Sequence, residues 1–121
     1  MTKLLTILIL LIPAIAHAEQ DEWSTHQIVM EVVFVGLVYN DVQQTKVIIA
    51  NGGYENNIVI GKYPTNAELD QWGIIAIITQ STIAHFLSSE LRTSWIWYTG
   101  IVEFFMIVNN RTVIGKVGFN F

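Results

Sequence analysis

Three side chains that can carry acid–base or metal chemistry interrupt otherwise apolar segments: Glu31, His85 and Glu103. A histidine with two carboxylates can accept a proton or ligate a divalent cation such as zinc. The chain contains no His-x-x-x-His pair, no His-Glu-x-x-His motif and no cysteine. We therefore predict no metal and no cofactor. Glu31 and His85 are expected at a similar level along neighbouring helices, where they can pair. All three groups are expected to hydrogen bond between helices. A proton-accepting or ion-handling site remains the alternative.

A second set of polar residues predicts a cluster at one end of the molecule. Asp41, Gln44 and Thr45 are spaced i, i+3 and i+4, so they share one face of a helix. The loop YENNIVIGKYPT, residues 54–65, is expected to fold back towards them. The predicted cluster contains Asp41, Gln44, Thr45, Glu55, Asn57, Asn109 and Arg111. It is interpreted either as a small binding site or as a set of polar helix ends wetted by lipid headgroups.

The elements that must position these groups are three apolar segments, at residues 27–39, 72–87 and 94–108. None shows the strict alternation of a half-buried strand, and the second and third exceed ordinary strand length. The sequence Pro64-Thr65-Asn66-Ala67-Glu68 is typical of a capped helix start. We predict an all-α fold with helices at about 25–50, 66–88 and 93–110.

The first 18 residues, MTKLLTILILLIPAIAHA, have the pattern of a secretory signal peptide. Lys3 is followed by an apolar run, and Ala16-His17-Ala18 fits the small-x-small cleavage site. An acidic stretch then begins at Glu19. The alternative is an uncleaved helix, although the run is shorter than the roughly 20 residues that a membrane span needs. Residues 1–18 are therefore predicted to be a signal peptide, and residues 19–121 a single helical membrane domain.

The composition favours lipid as part of the surroundings. Of the 121 residues, 52% are hydrophobic and only 13% are charged, against about 25% charged in ordinary soluble domains. The first and third segments are apolar around almost their whole circumference, and a chain of this length cannot bury three such helices. The prediction is a small transmembrane helical bundle; a soluble periplasmic helical protein is the alternative. The net charge of −4 argues against a nucleic-acid partner.

The distribution of basic residues agrees with this topology. If Glu19 lies outside, the first helix runs inwards, the second outwards and the third inwards. Arg92 alone is then on the outer side, and the inner side receives Lys46, Lys62, Arg111 and Lys116. This follows the positive-inside rule. We therefore predict a bacterial inner-membrane protein whose mature N-terminus is periplasmic.

The polar pattern resembles a family of small membrane proteins of proteobacteria and their phages. The matching elements are Glu31, Asp41-x-x-Gln44-Thr45, the run from Tyr54 to Thr65, and Glu103 followed by Asn109 or Asn110. Members of the family carry a loop of the form E-[TN]-N-P-[IL]-[LI]-G-x-x-P-[ST]. This chain has Ile58 where the pattern has proline. The resemblance implies a membrane location and a shared set of polar positions, but no reaction.

The expected function is that of a structural, regulatory or accessory membrane protein, and the resemblance implies a phage or prophage origin. Its partners are the lipid bilayer and another membrane protein. A membrane-embedded enzyme or ion-handling protein using the buried glutamate and histidine groups is one alternative, and a holin-like lysis protein is another. The substrate and the oligomeric state do not follow from the sequence.

Overall fold

The computed structural model describes residues 22–55 and 60–116, which form three helices and contain no strand. Helix α1 spans Thr25–Ala50, α2 spans Asn66–Phe86 and α3 spans Ser89–Lys116. The all-α prediction with three helices is confirmed. The predicted signal peptide, residues 1–18, lies outside the described residues.

Local sequence signals define both ends of α1. At its start, the Ser24 side chain accepts from the Gln27 backbone N–H and the Gln27 side chain accepts from the Ser24 N–H, which is a capping box. At its end, Gly52 adopts φ 88° and donates to the Ile49 carbonyl, while Gly53 N donates to the Ile48 carbonyl at 2.8 Å. These two bonds form a Schellman motif, which satisfies carbonyls that the helix itself leaves unpaired.

Helices α2 and α3 are joined by a connection of two residues, Leu87 and Ser88. Thr65 caps α2 through a capping box with Glu68, as the sequence predicted. Helix α3 begins at Ser89 and continues to Lys116, whereas the sequence predicted about 93–110. The polar residues on both sides of the apolar segment continue the helix beyond the predicted bounds.

The connections place α1 and α3 parallel, with α2 antiparallel to both. Near the start of α1, Gln27 contacts Ser89 and Thr93 at the start of α3. Further along, Asp41 contacts Asn110 on the same pair of helices. Helix α1 packs mainly against α3. Gly73 allows α2 to approach α1 closely, because a Cβ there would lie 2.9 Å from a Val42 methyl group.

The interior is a mixture of apolar and polar side chains. Its buried apolar members are Phe34, Val38, Ile48, Leu69, Ala84, Ile96 and Ile114, and its buried polar members are Gln27, Gln44, Thr45, Gln80 and Arg92. With the half-buried Glu31 and Asp41 included, the interior stripe of α1 alternates steps of four and three residues, as in a heptad pattern: 27, 31, 34, 38, 41, 45 and 48. Polar and apolar residues share that stripe, so the polar groups of α1 face the other helices.

Among the helices of residues 22–55 and 60–116, none has both the length and the sustained apolar character needed to cross a membrane.

Candidate functional site

A pair of carboxyl groups lies between α1 and α3. The Asp41 and Glu103 side chains lie within interaction distance of each other, and both are partly buried. The Asn110 amide also donates to the Asp41 carboxylate. Because ionised carboxylates only accept hydrogen bonds, a bond between two carboxyl groups requires one of them to hold a proton. The arrangement can therefore hold one proton between the two carboxyl groups.

The pair borders a cavity of about 180 Å³ between the three helices and the α1–α2 loop. Thr45 and Glu55 add polar atoms, and the rest of the lining is largely apolar, including Leu69, Trp72 and Met106. Thr45 itself donates to the Asp41 backbone carbonyl at 2.9 Å, within the helix. The cavity is large enough for a few water molecules or a small ion. Chemically, it can hold or exchange a proton at the paired carboxyl groups.

The α1–α2 loop contributes Glu55 to this cavity, as the sequence predicted. Glu55 is half-buried, lies close enough to Asp41 to interact electrostatically, and donates its backbone N–H to the Lys62 carbonyl at 2.9 Å. Lys62 lies over the Tyr54 ring, 5.0 Å from its centroid. These contacts hold the two ends of the loop together. Asn57, which the sequence also assigned to the cluster, lies outside the described residues.

The remaining predicted cluster residues do not join this cavity. Gln44 and Arg111 line a different one, together with Asn40 and Gln43. Asn109 is exposed, and the neighbouring Asn110 reaches Asp41 instead. The helical repeat explains the difference: residue 110 is two turns after Glu103 and shares its face, whereas residue 109 is rotated by about 100°.

The predicted pairing of Glu31 with His85 was wrong. Ser81 donates to the Glu31 carboxylate at 2.7 Å, and His85 is exposed and accepts from the Trp23 indole at 3.4 Å. Ser81 is level with Glu31, and His85 lies about 6 Å further along α2 at the helical rise. The other Glu31 oxygen, Oε2, is buried without a hydrogen-bond partner in the described part of the chain.

Glu31, His85 and Glu103 therefore have three separate sets of neighbours. Within residues 22–55 and 60–116, no three histidine or acidic side chains are grouped so that they could hold a metal ion. Glu103 belongs with Asp41, about halfway along α3, whereas His85 lies at the end of α2.

Arg92 is the main residue whose role the sequence analysis missed. The sequence predicted only that it lies on the outer side of the membrane, and its side chain is fully buried. Its guanidinium donates to the backbone carbonyls of Ala84, His85 and Leu87, at 2.7, 3.2 and 3.0 Å. These carbonyls belong to the end of α2, where helices leave acceptors unpaired and favour a positive charge. Arg92 thus caps α2 from within α3.

Arg92 also anchors the segment before α1. It donates to the Glu22 carbonyl at 3.1 Å and to the Gln27 amide oxygen at 3.3 Å, and it lies 4.9 Å from the centroid of the Trp23 ring. Gln27 in turn donates to Ser89 and Thr93. The sequence signal for this role was an arginine soon after an apolar helix with no glycine at its end.

A third interhelical contact lies between these two ends. The Gln80 amide donates to the Thr99 hydroxyl at 3.0 Å, and the Trp95 indole donates to the Gln80 backbone carbonyl at 3.1 Å. Polar contacts therefore connect the helices along most of their length.

Comparison with protein-family models, with curated proteins and with solved structures found no match to this chain.

Proposed function

We propose that this chain is a small integral protein of the bacterial inner membrane with a structural, regulatory or accessory role. The observation that carries the proposal is the distribution of polarity: large apolar side chains point outwards on all three helices, and polar side chains hydrogen bond inside. Bundles in lipid are expected to have this arrangement, because lipid solvates apolar surfaces and leaves polar groups to find partners within the protein.

The outward surface is apolar over long stretches. Val32 of α1 is 67% exposed, Ile74 of α2 is 58% exposed and Phe105 of α3 is 65% exposed. They are accompanied by Ile28, Val29, Val33, Ile78, Ile101, Val102, Phe104, Met106 and Val108. Large apolar patches are rare on soluble monomers, and here even successive residues of α3, Phe104, Phe105 and Met106, are all exposed. Contact with lipid accounts for it.

The interior supports the same proposal. Glu31, Gln80 and Asp41 each hydrogen bond to a side chain of another helix. Mean hydropathy along a helix counts these inward groups together with the apolar residues of the outer face. In a bundle, only the outer face meets lipid, so inward polar groups are compatible with a lipid-facing exterior.

The distance between the two polar ends of the bundle is close to the thickness of a bilayer core. Gln27, beside Arg92, and Gln44, beside Arg111, are separated along α1 by about 25 Å at the helical rise. The hydrocarbon core of a bilayer is about 30 Å thick. Lys46, Lys62 and Arg111 lie at the Gln44 end. The positive-inside rule therefore favours an orientation in which this end faces the cytoplasm.

The proposed role is to bind or modify another membrane complex, as the resemblance to small phage and proteobacterial membrane proteins suggests. Crosslinking in intact cells followed by affinity purification tests it. A specific membrane protein recovered with the chain is the expected result, and recovery of the chain alone would contradict an accessory role.

Fractionation tests the membrane location. The protein is expected to remain in the inner-membrane fraction after alkaline carbonate extraction. Reporter fusions after Tyr54, Ser89 and Phe121 are expected to read inside, outside and inside. A carbonate-soluble periplasmic protein would contradict the proposal and favour the soluble helical alternative.

The Asp41–Glu103 pair favours a second candidate function, the handling of protons or small cations. Proton flux into proteoliposomes containing the protein tests it. Flux that Asp41→Asn abolishes would support this candidate. Equal flux with and without the protein would exclude it and leave the pair a packing role.

A further inference from the structure

A second polar cavity, distinct from the one beside Asp41 and Glu103, lies near the Arg111 end of the bundle. Its volume is about 270 Å³, and its lining consists of Asn40, Gln43 and Gln44 from α1 with Arg111 from α3. Every lining side chain carries an amide or a guanidinium, and none is acidic. The cavity is therefore rich in N–H donors and has one positive charge, which is the composition of an anion site.

Helix geometry explains why these groups converge. Asn40, Gln43 and Gln44 are spaced i, i+3 and i+4 and share one face of α1. Arg111 follows Asn110, whose amide is bonded to Asp41. That bond fixes the register between the two parallel helices, so the Arg111 side chain is held at the level of Asn40 and Gln44.

Gln44 adds a more specific requirement. Its side chain is 6% exposed, and its amide oxygen Oε1 is buried with no hydrogen-bond partner in the described part of the chain. A buried acceptor without a donor is unfavourable, and most such groups in proteins are paired. A change of the Gln44 rotamer that turns this oxygen to the cavity would let a ligand there supply the missing donor, as well as acceptors for Arg111.

A phosphate group joined to a hydroxylated substituent satisfies both requirements. Its oxygens can take the forked hydrogen bonds of a guanidinium, and its hydroxyl can donate to an amide oxygen. The cavity is smaller than the roughly 300–1,000 Å³ of drug-sized ligand pockets, which limits the ligand to a small group.

We propose that this cavity binds the headgroup of an anionic phospholipid, with the phosphate at Arg111 and a headgroup hydroxyl at Gln44. Phosphatidylglycerol has this chemistry. Phosphatidylcholine offers a phosphate without a donor, and phosphatidylethanolamine brings a second positive charge near Arg111. The inference rests on the proposed membrane location, because a lipid headgroup is available only at a bilayer surface.

The test is native mass spectrometry of the purified full chain in detergent with equal amounts of the three lipids. The protein is expected to retain phosphatidylglycerol in preference to the other two. Arg111→Gln should weaken that retention about tenfold, the loss expected for one charge-assisted contact. Lys62→Gln, which removes a positive charge outside the cavity, is the matched control and should leave retention unchanged.

Gln44→Leu separates binding from folding. It removes the unpaired acceptor, so thermal stability should be maintained or rise while phosphatidylglycerol retention falls. Equal retention of all three lipids, or retention unaffected by both Arg111→Gln and Gln44→Leu, would overturn the inference.

Titration with inorganic phosphate and glycerol 3-phosphate distinguishes the source of the phosphate. Displacement of phosphatidylglycerol by either compound at comparable concentration would overturn the lipid assignment in favour of a free-anion site. A protein that carbonate releases from membranes would contradict the proposed function itself. A protein that stays in the membrane without lipid selectivity contradicts only this inference.

Discussion

At the residue scale, the largest concentration of hydrogen bonds is around Arg92. One guanidinium connects the end of α2, the residues before α1 and the Gln27 side chain. Because guanidinium is planar and has five donors in a fixed fork, it can bond in several directions at once. An aliphatic side chain has no donors, and an ammonium group has only three, all on one nitrogen atom.

Arg92→Met should therefore be strongly destabilising. The substitution leaves several carbonyls without donors, and each buried unpaired group costs about 1–3 kcal/mol, so the expected loss is about 3 kcal/mol or more. Thermal or denaturant unfolding of the solubilised protein measures it. Lys62→Met is the control, since that side chain is exposed, and should change stability by about 0.5 kcal/mol or less. Equal effects of the two variants would show that the Arg92 contacts are unimportant.

The carboxyl pair gives a second prediction at this scale. Glu103→Gln keeps a donor towards Asp41 and should be tolerated within about 1 kcal/mol, whereas Glu103→Ala removes the partner and should cost about 1–3 kcal/mol. Comparing the unfolding free energies of the two variants tests the shared proton. A Glu103→Gln protein as unstable as Glu103→Ala would argue against it. Glu90→Gln, at an exposed site on the same helix, controls for loss of charge.

At the element scale, the helix ends follow from local sequence more directly than the contacts between helices do. Thr65 with Glu68 indicates the start of α2, and Asn51-Gly52 indicates a turn. The length of α3 was less predictable, because its polar ends resemble loop sequence and become helical through tertiary contacts such as those of Arg92 and Asn110. The choice of Asn110 over Asn109 was available from helical spacing alone.

The Schellman motif after α1 predicts a contrast among glycines. Gly52→Ala places a side chain at φ 88° and should cost about 1–2 kcal/mol. Gly53→Ala brings a Cβ to 2.8 Å from the Ile48 carbonyl oxygen and should also destabilise the protein. Gly36→Ala, inside α1 with open space around it, should instead stabilise by about 0.5–1 kcal/mol. Thermal unfolding compares the three. A stabilised Gly53→Ala protein would contradict this account of the loop.

At the scale of the whole molecule, the sequence predicted three helices and a cluster of polar groups at one end, but not the division of that cluster. Asp41 and Glu55 border one cavity, and Gln44 and Arg111 border another. The sequence groups polar residues of one helix together. Which of them face α3 depends on how the helix is rotated about its axis, and packing sets that rotation. The buried position of Arg92 was missed for the same reason.

The proposed membrane location is most directly tested by the accessibility of three single-cysteine variants. The chain has no native cysteine, so Tyr54→Cys, Glu90→Cys and Phe105→Cys each report one site. A membrane-impermeant maleimide is applied to intact spheroplasts, then to permeabilised ones, then after detergent solubilisation and unfolding.

Glu90→Cys is expected to react in intact spheroplasts, and Tyr54→Cys only after permeabilisation. Phe105→Cys, on the apolar outer face of α3, should react only once the membrane is dissolved and the protein unfolded. Rapid labelling of Phe105→Cys in intact or permeabilised spheroplasts would show that this face meets water, and would contradict the proposed membrane location.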